Sequence, residues 1–142
     1  KTTSASFTKN KSFTSMESTK IAAQSALKMS NHVSKDVDVA EIHDAFSVCE
    51  PIALESLGFS DYGHGLDLVD ELHETNNFKI NPRGGLIGSG HPLGATGISQ
   101  TIEITQQLQS NANKRQVDHA NVGLIHNMSA AATSSTVLVL EK

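Results

Sequence analysis

Between positions 84 and 97 the chain reads Gly-Gly-Leu-Ile-Gly-Ser-Gly-His-Pro-Leu-Gly-Ala-Thr-Gly, six glycines in fourteen residues around one histidine, His91. Glycine admits positive φ and lets backbone approach backbone or ligand closely. Proline fixes its own φ and pushes the residue before it out of the helical region. A stiff turn therefore aims one imidazole at the start of a helix. That arrangement suits a general base or an oxyanion donor better than it suits a packing residue. The small residues Gly94, Ala95, Thr96 and Gly97 let the helix that follows approach another helix or a ligand very closely.

Hydrophobic periodicity supplies the surrounding elements. A helix is expected over 16–30, with Ala22, Ala26 and Met29 on one stripe and Ala23 and Leu27 beside it. Residues 36–43 alternate at Val37 and Val39 and predict a strand ending near His43. Apolar residues at 46, 49, 53 and 57 predict a second helix, stopped by Gly58, with Asp44 as its N-cap. Residues 58–85 read as loops around a short helix near 66–73. Residues 94–109 predict a helix with Ile98, Thr101, Ile102, Thr105 and Leu108 at helical spacing. Two late strands, 121–126 and 134–140, are joined by a short turn and predict an antiparallel pair. The last strand is apolar at every position from Val137 to Leu140 and is expected to be central and covered on both faces. The order predicts an α/β fold, a mixed sheet with helices on both faces.

Bulk properties narrow the function. A chain of 142 residues fits one domain with a real core. The net charge of −4 disfavours a nucleic-acid groove or an anionic membrane face. No apolar run is long enough for a membrane span. One cysteine, Cys49, excludes an internal disulfide or thiolate cage, and the seven histidines do not fall at metal-ligand spacing. Residues 1–19 are Ser/Thr/Lys-rich and read as a linker or flexible segment, with the domain at 20–142. A cytoplasmic or organellar-matrix location is expected.

Three segments carry chemistry. His43-Asp44-Ala45-Phe46 falls where a strand hands over to a helix, His91 sits in the glycine-rich turn, and His126-Asn127 leads into the last turn. In open α/β sheets ligands gather at strand ends. Two imidazoles with free backbone N–H groups suit an oxyanion hole for a thioester carbonyl or enolate. A neutral imidazole near a helix N-terminus can also take a proton from a thiol. Cys49 lies on the apolar stripe of its helix and reads as a small buried hydrophobe.

These blocks resemble a known family. The 84–97 segment is similar to the Gly-His-Pro block of thiolases, and His43-Asp-Ala-Phe46 resembles the His-Asp-Cys-Phe block of thiolases linked to sterol carrier proteins. Asn121–Asn127 resembles that branch's last core hairpin. The resemblance implies the C-terminal half of a five-layered α-β-α-β-α thiolase, generally an oligomer, with coenzyme A thioesters as substrates and no resident cofactor. It implies catalytic roles for His91 and His43, a lining for the acyl pocket from Phe46, and substrate contacts at Ser89, Pro92, Asn127, Ser129 and Ala130. It also implies a nucleophilic cysteine from an N-terminal half, in cis or in trans. The chain departs from the family at Ala45, at Met128-Ser129 and across Ser129–Ala132, where cysteines or glycines are expected. Those departures keep two alternatives open: a thiolase-like retro-aldolase on coenzyme A thioesters, and a non-catalytic subunit that binds acyl-CoA or lipid. Lys79 and Arg83 are the cations nearest the loop for coenzyme A phosphates.

Overall fold

The computed structural model describes residues 2–4, 14–75 and 79–142. A four-stranded sheet has the order β1-β4-β3-β2, with β1 at Thr2–Ser4, β2 at Val39–Glu41, β3 at Val122–Met128 and β4 at Ser134–Glu141. β3 pairs antiparallel with β4, with Ile125 opposite Leu138, and parallel with β2. The sheet is mixed, and helices cover both its faces.

Helix α1, Glu17–Ser30, packs on β4 through Ala22, Ala23, Ala26 and Leu27, while Met29 faces solvent. It ends where Asn31 takes φ 59°, a left-handed stop that Asn tolerates. Helix α2, Cys49–Leu57, buries Ala53, Leu54 and Leu57 against α1 and ends on Gly58 at φ 83°. Helix α3, Gly65–Glu74, packs on α2, and a Cβ on Gly65 would overlap the Pro51 carbonyl. Alternation along β3 sends Val122, Leu124 and His126 towards α1, and Ile125 and Asn127 towards α5, Thr96–Leu108.

Several expectations are corrected. Thr2–Ser4 are a strand paired with β4, and α1 begins at Glu17, so the linker expected over 1–19 is structured at both ends; residues 5–13 lie outside the described residues. β2 is shorter than 36–43: Asp36 belongs to a 3-10 turn, Ser34–Asp36, and only Val39–Glu41 pair with β3. α2 starts at Cys49, and Phe46 is a loop residue exposed to solvent. Part of the glycine-rich stretch is itself helical, α4 at Gly85–Ser89. β4 lies between β3 and β1, but it is not covered on both faces: Leu138 is 40% exposed.

Helix α5 sorts its polar and apolar residues against the usual pattern. Its buried residues are Thr96, Gln100, Glu103, Ile104, Gln107 and Leu108, whereas Ile98 and Ile102 are 64% and 52% exposed. The helix turns a largely polar stripe inwards and holds apolar side chains out. Glu103 is satisfied by the Arg115 guanidinium at 2.9 Å and by Gln107 Nε2 at 3.0 Å. The exposed stripe, with Leu93 and Leu138, borders a groove of about 550 Å³.

Candidate functional site

The end of β2 delivers His43, 5% exposed, into the loop before α2. The turn after α4 delivers His91. Their rings meet edge to face, with centroids 4.7 Å apart and planes at 84°.

A carboxylate sets that meeting. Asp44 does not cap α2; its Oδ1 accepts the Leu86 N–H at 2.6 Å, at the start of α4. A Cβ on Gly85 would overlap the same carboxylate, and Gly85 has φ 61°. Glycine is therefore required there twice, for space and for backbone conformation. One residue pair, 43–44, thus places one imidazole and anchors the segment that carries the other.

The partners of each ring define its chemistry. His91 Nδ1 lies 2.7 Å from Thr96 Oγ1, and that hydroxyl donates to the Pro92 carbonyl at 3.3 Å. Both contacts are hydrogen bonds only if Nδ1 carries the proton, which leaves Nε2 as the basic atom. Burial lowers the pKa of His43, as does the neighbouring His91; Asp44 and a hydrogen bond with Asn127 pull the other way. His43 is therefore neutral at pH 7. The amide nitrogen of Asn127 donates to Gln100 Oε1 at 2.9 Å, which orients its oxygen towards His43. His43 Nδ1 is buried with no hydrogen-bond partner among the described residues.

These groups border a cleft of about 540 Å³ whose lining includes His43, Phe46, His91, Asn127, Ser129 and Ala130. Phe46 stands at the rim, 72% exposed. Two expected residues fall outside it. Ser89 is exposed and donates to the Arg83 carbonyl at 3.0 Å, and Pro92 acts through its carbonyl, which accepts the Ala95 N–H at 2.8 Å. The Ser129 N–H is committed to the Ser134 carbonyl at 2.9 Å, so it is no free oxyanion donor.

His126 is also corrected. It is fully buried and points away from the cleft, with Nε2 at 3.1 Å from Thr19 Oγ1, and burial lowers its pKa to about 3. Cys49 is half-buried against the core and does not line the cleft. Arg83 turns inwards, with Nε 3.9 Å from the buried Glu41, and Lys79 borders a separate hollow with Lys35.

Thr96 and Gln100 orient the site, a role that neither the glycine-rich block nor the apolar spacing of the helix assigns them. Their signal was present: Thr96, Gln100, Glu103 and Gln107 recur at helical spacing and form one polar stripe.

The whole chain, residues 1–142, matches a family model described as thiolase C-terminal domain-like. It is 37% identical over 131 residues to an acetyl-CoA acetyltransferase of Methanothermobacter thermautotrophicus, covering 91% of this chain and 34% of the relative. It is 47% identical over 111 residues to human sterol carrier protein 2, covering 77% of this chain and 20% of the relative. The chain thus spans about a third or less of these relatives' length. Among solved structures, an Ltp2-ChsH2(DUF35) aldolase superposes with TM-score 0.81 at 16% identity, over 99% of this chain and 38% of that one. A peroxisomal 3-ketoacyl-CoA thiolase of Saccharomyces cerevisiae superposes with TM-score 0.59 at 24% identity, over 92% of this chain and 29% of that one. At these identities the two structures speak for the fold. No described helix is long and apolar enough to cross a membrane.

Proposed function

The chain belongs to the thiolase C-terminal domain-like family, and from that premise we propose that it is the imidazole-bearing half of an acyl-CoA C-acyltransferase. Its substrates are acyl-CoA thioesters, with coenzyme A a reactant and no resident cofactor. The observation that carries the reading is the His43–His91 pair, 4.7 Å apart, bordering an open cleft. Leu93 borders both that cleft and the groove along the apolar stripe of α5, which a second half of the molecule would cover.

In this reading the second half, in cis or in trans, supplies a cysteine. His91 Nε2 takes the thiol proton, and the thiolate attacks the thioester carbonyl. The tetrahedral oxygen accepts from the Nε2–H that His91 then carries, and expulsion of the coenzyme A thiolate leaves an acyl-enzyme. Condensation or thiolysis follows on that acyl group. Phe46, at the rim, lines the acyl path, and Asn127 holds His43 in register.

The test pairs this chain with its cysteine-bearing half and titrates thiols with iodoacetamide, with and without acetyl-CoA. A protected thiol other than Cys49 is expected, and His91→Ala should lower kcat by about 10²- to 10⁴-fold. No protectable thiol beyond Cys49 would sink the reading.

A second reading, retro-aldol cleavage of a coenzyme A thioester, is favoured by one observation: no thiol lines the described cleft, where Ala45, Met128 and Ser129 stand. It requires carbon–carbon cleavage without an acyl-enzyme, so trapping a covalent acyl group on the protein would exclude it.

A further inference from the structure

We propose that a buried chain of hydrogen bonds from Ala132 to His43 fixes two parts of the cleft lining relative to each other, with Thr19 as its positioning residue. Only the kinetic part of its test rests on the acyl-transfer reading.

The chain begins at an atom that can only accept. The Ala132 carbonyl receives the Ser18 hydroxyl at 2.6 Å. Ser18 has then used its proton and must accept from Ser135 at 2.7 Å. Ser135 in turn accepts from Thr19 at 2.8 Å. Thr19 has now donated, so its 3.1 Å contact with His126 Nε2 requires an N–H on that nitrogen. That leaves a lone pair on His126 Nδ1, which faces the backbone N–H of His43 at 3.5 Å. Every donor direction is fixed by the first carbonyl.

The members are all shielded from water. Ser18, Thr19 and His126 are 0% exposed and Ser135 is 1%. A buried polar network is stabilising only when each member is satisfied, and this one is. It holds features that need holding. At one end Ala132 takes φ 50°, a left-handed conformation unfavourable for a residue with a Cβ, in the 3-10 turn Ala130–Ala132. That turn belongs to the cleft wall formed by Ser129 and Ala130. At the other end stands His43, which also lines the cleft. The link between them passes through α1, which contributes no side chain to the cleft lining.

The experiment uses the full protein with its cysteine-bearing half, comparing Thr19→Val, which removes the hydroxyl at nearly constant shape, with Thr19→Ser, which keeps it. Nitrogen-15 spectra of the wild-type side chains should show His126 as the Nε2–H tautomer; the Nδ1–H tautomer would overturn the relay. In Thr19→Val the His43 amide should exchange about tenfold faster. Its kcat should fall about 10- to 100-fold with KM little changed. Thr19→Ser should restore both. A Thr19→Val protein with lowered stability but unchanged kcat and His43 exchange would reduce the relay to packing and overturn the proposal. If Thr19→Val does not fold, Ser135→Ala breaks the same chain and is read by the same two measurements. A wild type without acyl-transfer activity would defeat the reading above, while tautomer and amide exchange still decide the relay.

Discussion

On one face of the sheet, α1 and α2 close an apolar core in which Ala22, Ala53, Leu54, Leu124 and Val137 are all fully buried. On the other face, α5 buries Gln100, Glu103 and Gln107 against the sheet and leaves Ile98 and Ile102 in solvent. The closed face obeys the ordinary amphipathic rule. The other, open face departs from it: beside Ile104 and Leu108, α5 buries polar side chains that each have a partner, while Ile98 and Ile102 stay exposed. The difference teaches that one face closes its apolar side chains within the described residues and the other leaves some of them in solvent. The catalytic candidates lie at the seam, with Leu93 and Asn127 bordering both the cleft and the open groove.

Each face also buries a titratable group, and the two respond to pH in opposite senses. His126, on the closed face, has its pKa lowered by burial from 6.5 to about 3. The unfolded chain therefore binds the extra proton first. Stability is fully present above about pH 6.5 and is lost as pH falls towards 3. The loss should be on the order of 4 kcal/mol in chemical denaturation and should be absent from the pH profile of His126→Asn. A flat acid limb in the wild type would mean that His126 is not the buried neutral group described here.

The second contrast is one of packing. Leu54→Ala, in the closed core, should cost about 2–5 kcal/mol. Ile102→Ala, at the same scale of truncation on the open face, should change the stability of the isolated chain by less than about 0.5 kcal/mol. Its effect should appear instead in association: gel filtration of the isolated chain should show self-association or aggregation, reduced by Ile102→Glu. A monodisperse wild-type monomer would remove the distinction between the faces.

Glu41 supplies the opposing slope. It lies on the α5 face, 0% exposed, and burial raises its pKa from 4.5 to about 7, with Arg83 opposing and Glu103 and Asp44 adding to the rise. The folded state here holds the proton more tightly. Stability from this group is present below about pH 4.5 and is lost as pH rises through 7, by on the order of 3 kcal/mol. Glu41→Gln should flatten that limb, so the variant gains on the wild type between pH 5 and 8. An unchanged alkaline limb would indicate that Arg83 already holds Glu41 ionised.

The closed face was legible in the sequence because its helices use apolar residues at helical spacing and its strands alternate. The glycine-rich turn was legible because φ and space there leave little choice, as Gly85 against Asp44 shows. Asp44 itself was misread, since a carboxylate before a helix has a local role by default and its partner, the Leu86 N–H, lies 42 positions away. His126 was misread for a related reason. Adjacent residues on a strand face opposite ways, so Asn127 entered the cleft and His126 entered the core. The outward apolar face of α5 was legible only through the resemblance, which puts the helix after Gly94 between two halves, because apolar spacing alone identifies a face without saying what covers it.

The smallest expected effect concerns the turn that ends the closed face at the cleft. Ala132 is 5% exposed, belongs to the apolar core and sits at φ 50°. Replacing it by glycine relieves about 1–2 kcal/mol of left-handed strain. The same change removes a buried methyl worth about 0.8 kcal/mol. It also frees the unfolded backbone by a further 0.4–1 kcal/mol, roughly. The contributions nearly cancel, so Ala132→Gly should lie within about 0.5 kcal/mol of the wild type in chemical denaturation. A loss well beyond that would mean the turn carries little strain and the methyl fills a core position with no slack. A clear gain would mean that the methyl packs poorly, and that the hydrogen bond from Ser18 holds the turn against a strain that the core does not share.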